Sequence, residues 1–168
     1  ISNMILPENA TPKLFDKVVR DINVKLLANL SWLNNAFGIA EKLAERQTKN
    51  DTYFPALYVG NKEYMSMLPS EEYGNYSFFE IEDPQIYDDT VLGKHTLNTK
   101  CSIIFWFNLD TIFDDDLVIR TDELKQHILD KIAKPGLLTN GRLTVNKIYS
   151  KPENIFNRYK INQVDSQF

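Results

Sequence analysis

The chain is poor in the residues from which reactive and cross-linked sites are usually built. Its 168 residues include one cysteine, Cys101, and two histidines, His95 and His127. A single cysteine excludes an intrachain disulfide framework and any zinc cluster built on several thiolates. A reducing compartment is the simplest setting for it. Glycine and proline number only 6 and 7, and there is no sign of a low-complexity or repeat architecture. No apolar run approaches the roughly 18 residues needed to cross a bilayer. The longest, Ile103 to Phe107, is strand length. No charged-then-apolar signal opens the sequence, which starts at Ile1. Four Asn-x-Ser/Thr matches, at Asn9, Asn29, Asn50 and Asn75, read as chance.

Catalytic signatures are also lacking. There is no Gly-x-Ser-x-Gly elbow and no dinucleotide fingerprint. Gly93-Lys94 ends like a phosphate-binding loop, but His95 replaces the required Ser or Thr and Asp88 stands where the first glycine belongs. His127 reads as a surface group on a helix flank. Cys101 and His95 could pair as nucleophile and base, but Cys101 shares the apolar parity of Ile103 and Phe105 and reads as core. Asp110, Asp114, Asp115 and Asp116 make the best metal-like cluster. They lack the alternating carboxylates and central glycine of a calcium loop, so a solvated acidic loop is the preferred reading.

What is present suffices for one soluble domain over 1–168: 43% hydrophobic, 12% aromatic and 25% charged residues. Net charge is −4, which argues against duplex-DNA binding and sequence-specific nucleic-acid recognition. The charge is unevenly spread. Residues 63–116 carry 2 basic and 12 acidic groups, whereas 117–168 carry 9 basic and 5 acidic. One acidic and one basic surface on the same chain can steer copies into head-to-tail contact.

Thr11-Pro12 is a helix-start signal. Apolar residues then recur at helical spacing through Phe15, Val18, Ile22, Leu26, Leu30, Leu33, Phe37, Ala40 and Ala44. The spacing predicts helix over 11–47, broken into two near Asn29-Leu30-Ser31. Tyr53–Val59 is predicted to be a strand, placed at an edge or bulge by Pro55. Gly60-Asn61 turns into a returning strand, Lys62–Leu68, with Tyr64 and either Met67 or Leu68 inward. Tyr76–Glu82 alternates. Residues 83–98 read as a long loop or arm. Cys101–Leu109 carries large apolar groups on both faces, which predicts a central strand, covered on one side by helices and on the other by a further helix or a neighbouring subunit. A helix follows over 121–134, and strands over 142–164 with Leu143, Val145 and Ile148 inward. The fold class is therefore α+β: N-terminal helices and one later helix packed on an antiparallel or mixed β-sheet.

This order resembles phage tail-terminator or tail-completion proteins of the minor-tail-protein-U type. The residues carrying the resemblance are Phe54-Pro55-Ala56-Leu57-Tyr58-Val59, the strand Cys101 to Leu109 with its acidic loop, the helix Thr121 to Lys134, and the strand after Asn140-Gly141. Leu30–Gly38 and Gly74–Phe79 also look like prophage-encoded proteins. The resemblance implies a non-enzymatic protein without cofactor, forming a hexameric ring that caps the tail tube. Its partners would be itself and the tail-tube and head-completion proteins, with no membrane contact. It would sit in the bacterial cytoplasm during assembly and in the virion tail afterwards. The expected interface residues are Tyr87, Asp88, Asp89 and His95 in the arm, Asp114, Asp115 and Asp116 in the acidic loop, and Arg142, Lys147 and Lys151 near the basic end. Two other readings are a small divalent-metal enzyme on Asp110–Asp116 and a monomeric adaptor domain.

Overall fold

A computed structural model describes residues 4–6, 11–46, 51–82, 86–90, 94–113, 121–133 and 143–149. Strand β1 (Met4–Leu6), helix α1 (Phe15–Asn29) and strand β2 (Asn35–Ile39) form a parallel strand–helix–strand unit, with β1 beside β2. Strands β3 (Glu41–Arg46), β4 (Asp51–Gly60) and β5 (Glu63–Ser66) form an antiparallel sheet in that order. Strand β6 (Tyr76–Ile81) pairs with β2 in parallel and with β9 (Cys101–Trp106) antiparallel, completing a four-stranded sheet β1-β2-β6-β9. Strands β7 (Ile86–Thr90) and β8 (Lys94–Asn98) form a separate hairpin, and helix α2 spans Thr121–Ile132. The protein is thus α+β, with helices packed on a mixed sheet.

The four-stranded sheet is buried on both faces because β6 alternates between two cores. Phe79, with Ala36 and Ile103, packs among Val19, Ile22 and Leu26 of α1 and Ile132 of α2. Tyr76 and Phe78, with Phe37 and Ile104, pack against Leu57 and Met67 from the three-stranded sheet. The second cover is therefore a sheet of the same chain.

In place of the expected second helix, over residues 30–46, stand a turn and the strands β2 and β3. Ala36, Phe37 and Gly38 are all buried because Ala36 faces the helices and Phe37 the other core. A strand covered on both sides shows no alternation, so Leu33, Phe37 and Ala40 mimic helical spacing. Gly38 lies where the β2–β6 register shifts between Ala36 and Ile39, a frequent place for glycine in a strand. The chain then passes from one sheet to the other at Ala40, whose N–H donates to the Phe79 carbonyl at 2.8 Å.

Other expectations also change. α1 starts at Phe15, after the expected Thr11-Pro12 cap; its N-cap is Leu14, at φ 51° with no side-chain capping bond. Among the described residues β9 is an edge strand, and β6 holds the central place. β4 is the middle of its sheet despite Pro55. Met67 N–H donates to the Pro55 carbonyl at 2.8 Å. Proline cannot return that bond, and the Met67 carbonyl instead accepts the Tyr76 hydroxyl at 3.1 Å. Within the 83–98 arm lies the β7–β8 hairpin. Residues 143–149 carry no strand, and Val145 and Ile148 are exposed, not inward; only Leu143 packs on the helix-side core. The rest of the expected 142–164 strands lies outside the described residues.

One end of the sheet is pinned by Asn75, which is 5% exposed and has every polar group engaged. Its N–H donates to Asn34 Oδ1 at 2.8 Å, and its carbonyl accepts from the N–H groups of Asn34 and Asn35. Its side-chain amide donates to the Trp32 carbonyl and to Thr111 Oγ1, while Oδ1 accepts from Asn108 N–H at 2.8 Å. Gly74 precedes it at φ 59°, and a Cβ there would lie 2.6 Å from Asn34 Oδ1.

Two predictions follow from these contacts. Gly74→Ala adds left-handed strain and displaces Asn34, so it costs about 2–4 kcal/mol by urea unfolding. Gly60→Ala, at φ 101° in open space, costs less, since only the strain remains. Equal losses in the two variants would remove the role given to the Asn34 contact. The second concerns alkaline stability. Burial first, and the neighbouring Tyr73 second, raise the Tyr76 hydroxyl far above its ordinary 10.0. The unfolded chain then loses a proton above pH 10 that the folded chain keeps, so the contribution is intact below pH 10 and declines as pH rises beyond it. The slope is about 1.4 kcal/mol per pH unit. Tyr76→Phe makes the measured decline of stability above pH 10 shallower.

Candidate protein interface

The β4–β5 hairpin presents the most distinctive exposed side chains. Gly60 and Glu63 face each other across a two-residue turn, Asn61-Lys62, with both residues at positive φ (52° and 66°). That turn geometry suits the twist of a hairpin, and asparagine tolerates it well. A bulge between Tyr58 and Gly60 then shifts the register by one, so that Leu57 opposes Met65 and Tyr58 opposes Tyr64. Leu57 is buried and Met65 packs against the core. By alternation Tyr58 and Tyr64 take the outer face, where they are 45% and 44% exposed.

Their rings meet edge to face, with centroids 5.2 Å apart. The Tyr58 hydroxyl accepts the Lys62 N–H at 3.3 Å, closing over the turn. The Tyr64 hydroxyl donates to Glu41 Oε2 at 3.4 Å. Desolvation, then the Glu41 charge and hydrogen bond, raise the Tyr64 hydroxyl above its ordinary value. Val59 is also exposed at the hairpin end. The result is a preordered aromatic surface with a carboxylate beside it. The sequence predicts Tyr64 inward; the bulge between Tyr58 and Gly60 puts it outward.

The expected interface residues fall into three groups. Tyr87, Asp88 and Asp89 lie on β7 and His95 on β8, with Asp89 directly opposite His95 in the ladder. Lys147 is exposed within 143–149, beside exposed Val145, Ile148 and Tyr149. Asp114, Asp115, Asp116, Arg142 and Lys151 lie outside the described residues.

Of the carboxylates weighed as a metal cluster, only Asp110 is described. It is exposed in a short 3-10 turn, and its N–H donates to Asn108 Oδ1 at 3.0 Å. Among the described residues no three His, Cys, Asp or Glu side chains converge as a metal site. Cys101 is exposed at the first residue of β9, not in the core. Desolvation by its neighbours, then the Glu82 charge, raise its thiol, opposite to the shift that activates a nucleophile. The buried Asn75 is a structural node, so its Asn-x-Ser match is chance. No helix among the described residues is long and apolar enough to cross a membrane.

Comparison with models of protein families, with curated proteins and with solved structures gave no match.

The tyrosines are surface groups, and their removal tests this. Tyr58→Ser with Tyr64→Ser costs no more than about 1 kcal/mol in urea unfolding, the range of one cross-strand pair. A loss of 3 kcal/mol or more would place them in the core.

Proposed function

We propose that this chain is a structural assembly protein of a bacteriophage or prophage tail, a ring-forming tail terminator or head–tail joining protein. It acts through contacts between chains and carries no catalytic role. It assembles in the bacterial cytoplasm and ends in the virion tail, with tail-tube and head-completion proteins as neighbours. The tail assignment rests on the resemblance of sequence and element order.

The observation that carries the contact function is the grouping of exposed apolar side chains. Among the described residues, the large exposed hydrophobics apart from Leu14 and Val24 gather at Tyr58, Val59 and Tyr64 and again at Val145, Ile148 and Tyr149. Scattered exposed apolar groups are ordinary, whereas grouped aromatics characterise interface centres. The first group has Glu41, Glu63 and Lys62 beside it, and the second contains Lys147. Two unlike apolar surfaces on one chain suit a head-to-tail contact, the kind that closes into rings.

Light scattering over a wide concentration range is the direct test. The expected result is a multimer at low salt that dissociates as salt rises. A monomer at every concentration, even at low salt, overturns self-assembly. Mass spectrometry of purified tail particles from an induced host tests the location. The chain is expected there at a fixed low copy number, and its absence from intact particles overturns the tail assignment.

A further inference from the structure

We propose that copies of this chain exchange their first strand: the chain opens at Leu14, and β1 of one copy pairs with β2 of a second. This rests on the self-assembly reading and names its contact. β1 is three residues long and, among the described residues, pairs with β2 alone, at one end of the four-stranded sheet. Residues 7–14 connect it to α1 and include Pro7 and Pro12. Proline turns the residue before it away from helix, so Leu6 and Thr11 favour an extended connection.

The turn that leads into α1 is the weak point of the closed chain. Asp16 N–H donates to the Lys13 carbonyl at 3.1 Å, closing a four-residue turn. Its first central residue, Leu14, stands at φ 51° and ψ −125°. That is the position in a type II′ turn that glycine ordinarily fills. A leucine is strained there, and at 75% exposure its side chain gains no burial in return. Short connections under strain invite exchange of the element they hold. Strain of this kind weights the closed chain against the opened one by about tenfold to a hundredfold.

The occupant of the uncovered edge is set by the register in hand. β1 runs parallel to β2 with Met4 opposite Asn35, Ile5 opposite Ala36 and Leu6 opposite Phe37. The same three residues of a second copy restore that ladder without any new surface, which is why exchange of an identical element costs little. A tethered strand competes at an effective concentration in the millimolar range; divided by the strain, this places exchange at roughly 10–100 μM. Each copy gives one strand and receives one, so the links run head to tail and can close into a ring.

The test mixes two populations of the full chain, both carrying Cys101→Ser. One adds Met4→Cys and the other Asn35→Cys, which face each other across β1 and β2. They are unfolded together in urea, refolded at low salt and treated with a short bis-maleimide. The expected product joins one chain of each kind and comes from the multimer fraction. A chain carrying both cysteines, cross-linked while dilute and monomeric, shows that the reagent spans the pair. Leu14→Gly relieves the turn and raises the dissociation constant read by light scattering about tenfold to a hundredfold. Asn35→Cys loses the bond from Asn35 to the Tyr73 carbonyl; if it fails to fold, the Leu14→Gly shift alone decides. Multimers that yield no cross-link between chains, or a Leu14→Gly chain that assembles as before, overturn the exchange and leave self-assembly standing. A chain monomeric under all conditions overturns both.

Discussion

The fold depends on how Asn75 closes one end of the main sheet. β2, β6 and β9 come from distant parts of the chain, and two of the pairings between them have opposite sense. Nothing in the pairing alone sets where the strands begin relative to one another. Asn75 does, because one amide side chain and one peptide unit together reach the segments before β2, before β6 and after β9. Each such bond contributes about 1 kcal/mol net, but an unpaired buried amide would cost more. The node therefore selects a register as much as it adds stability. Gly74 is part of it: only a residue lacking Cβ tolerates both its φ and the approach of Asn34.

With the register set, β6 carries the core. Its side chains alternate between a helical cover and a sheet cover, so one six-residue strand supplies large groups to both. The junction of the two sheets shows how a local defect is absorbed. Pro55 withholds a ladder bond in a middle strand, ordinarily a reason to exclude proline. The carbonyl left over at Met67 takes the Tyr76 hydroxyl, which ties the end of β5 to the start of β6. The buried tyrosine and the misplaced proline explain each other.

These facts decide what was legible in the sequence. The fold class was, because α2 has a clean helical stripe and β6 and β9 are rich in aromatic and β-branched residues. α1 was legible through Leu26, but the pattern beyond it was not. Leu33, Phe37 and Ala40 are buried on different faces, and burial without a preferred face carries no period. The sidedness of β9 was read correctly, since Ile103 and Ile104 fall in opposite cores. Its position in the sheet was not, because two covered faces do not show how many neighbours a strand has. Cys101 shares the parity of Ile103, yet cover fades at the strand end, which alternation alone does not reveal. The tyrosine pair was hidden behind a bulge between Tyr58 and Gly60 that no residue in the sequence announces. A hairpin register displaced by one residue exchanges inside for outside.

The same rule explains why 143–149 is informative. Its alternation predicts a strand, and the prediction follows sound physics: β-branched and aromatic residues at period two. Its exposed, unpaired state is therefore a conflict between local pattern and the single chain. Elsewhere in the molecule such conflicts are resolved by an identifiable partner, as Pro55 is by Tyr76. No strand partner for this segment lies among the described residues. Sheet edges are normally protected against pairing with a further strand. Here the β5 edge carries Tyr64, its ring ordered against Tyr58 of the neighbouring strand β4.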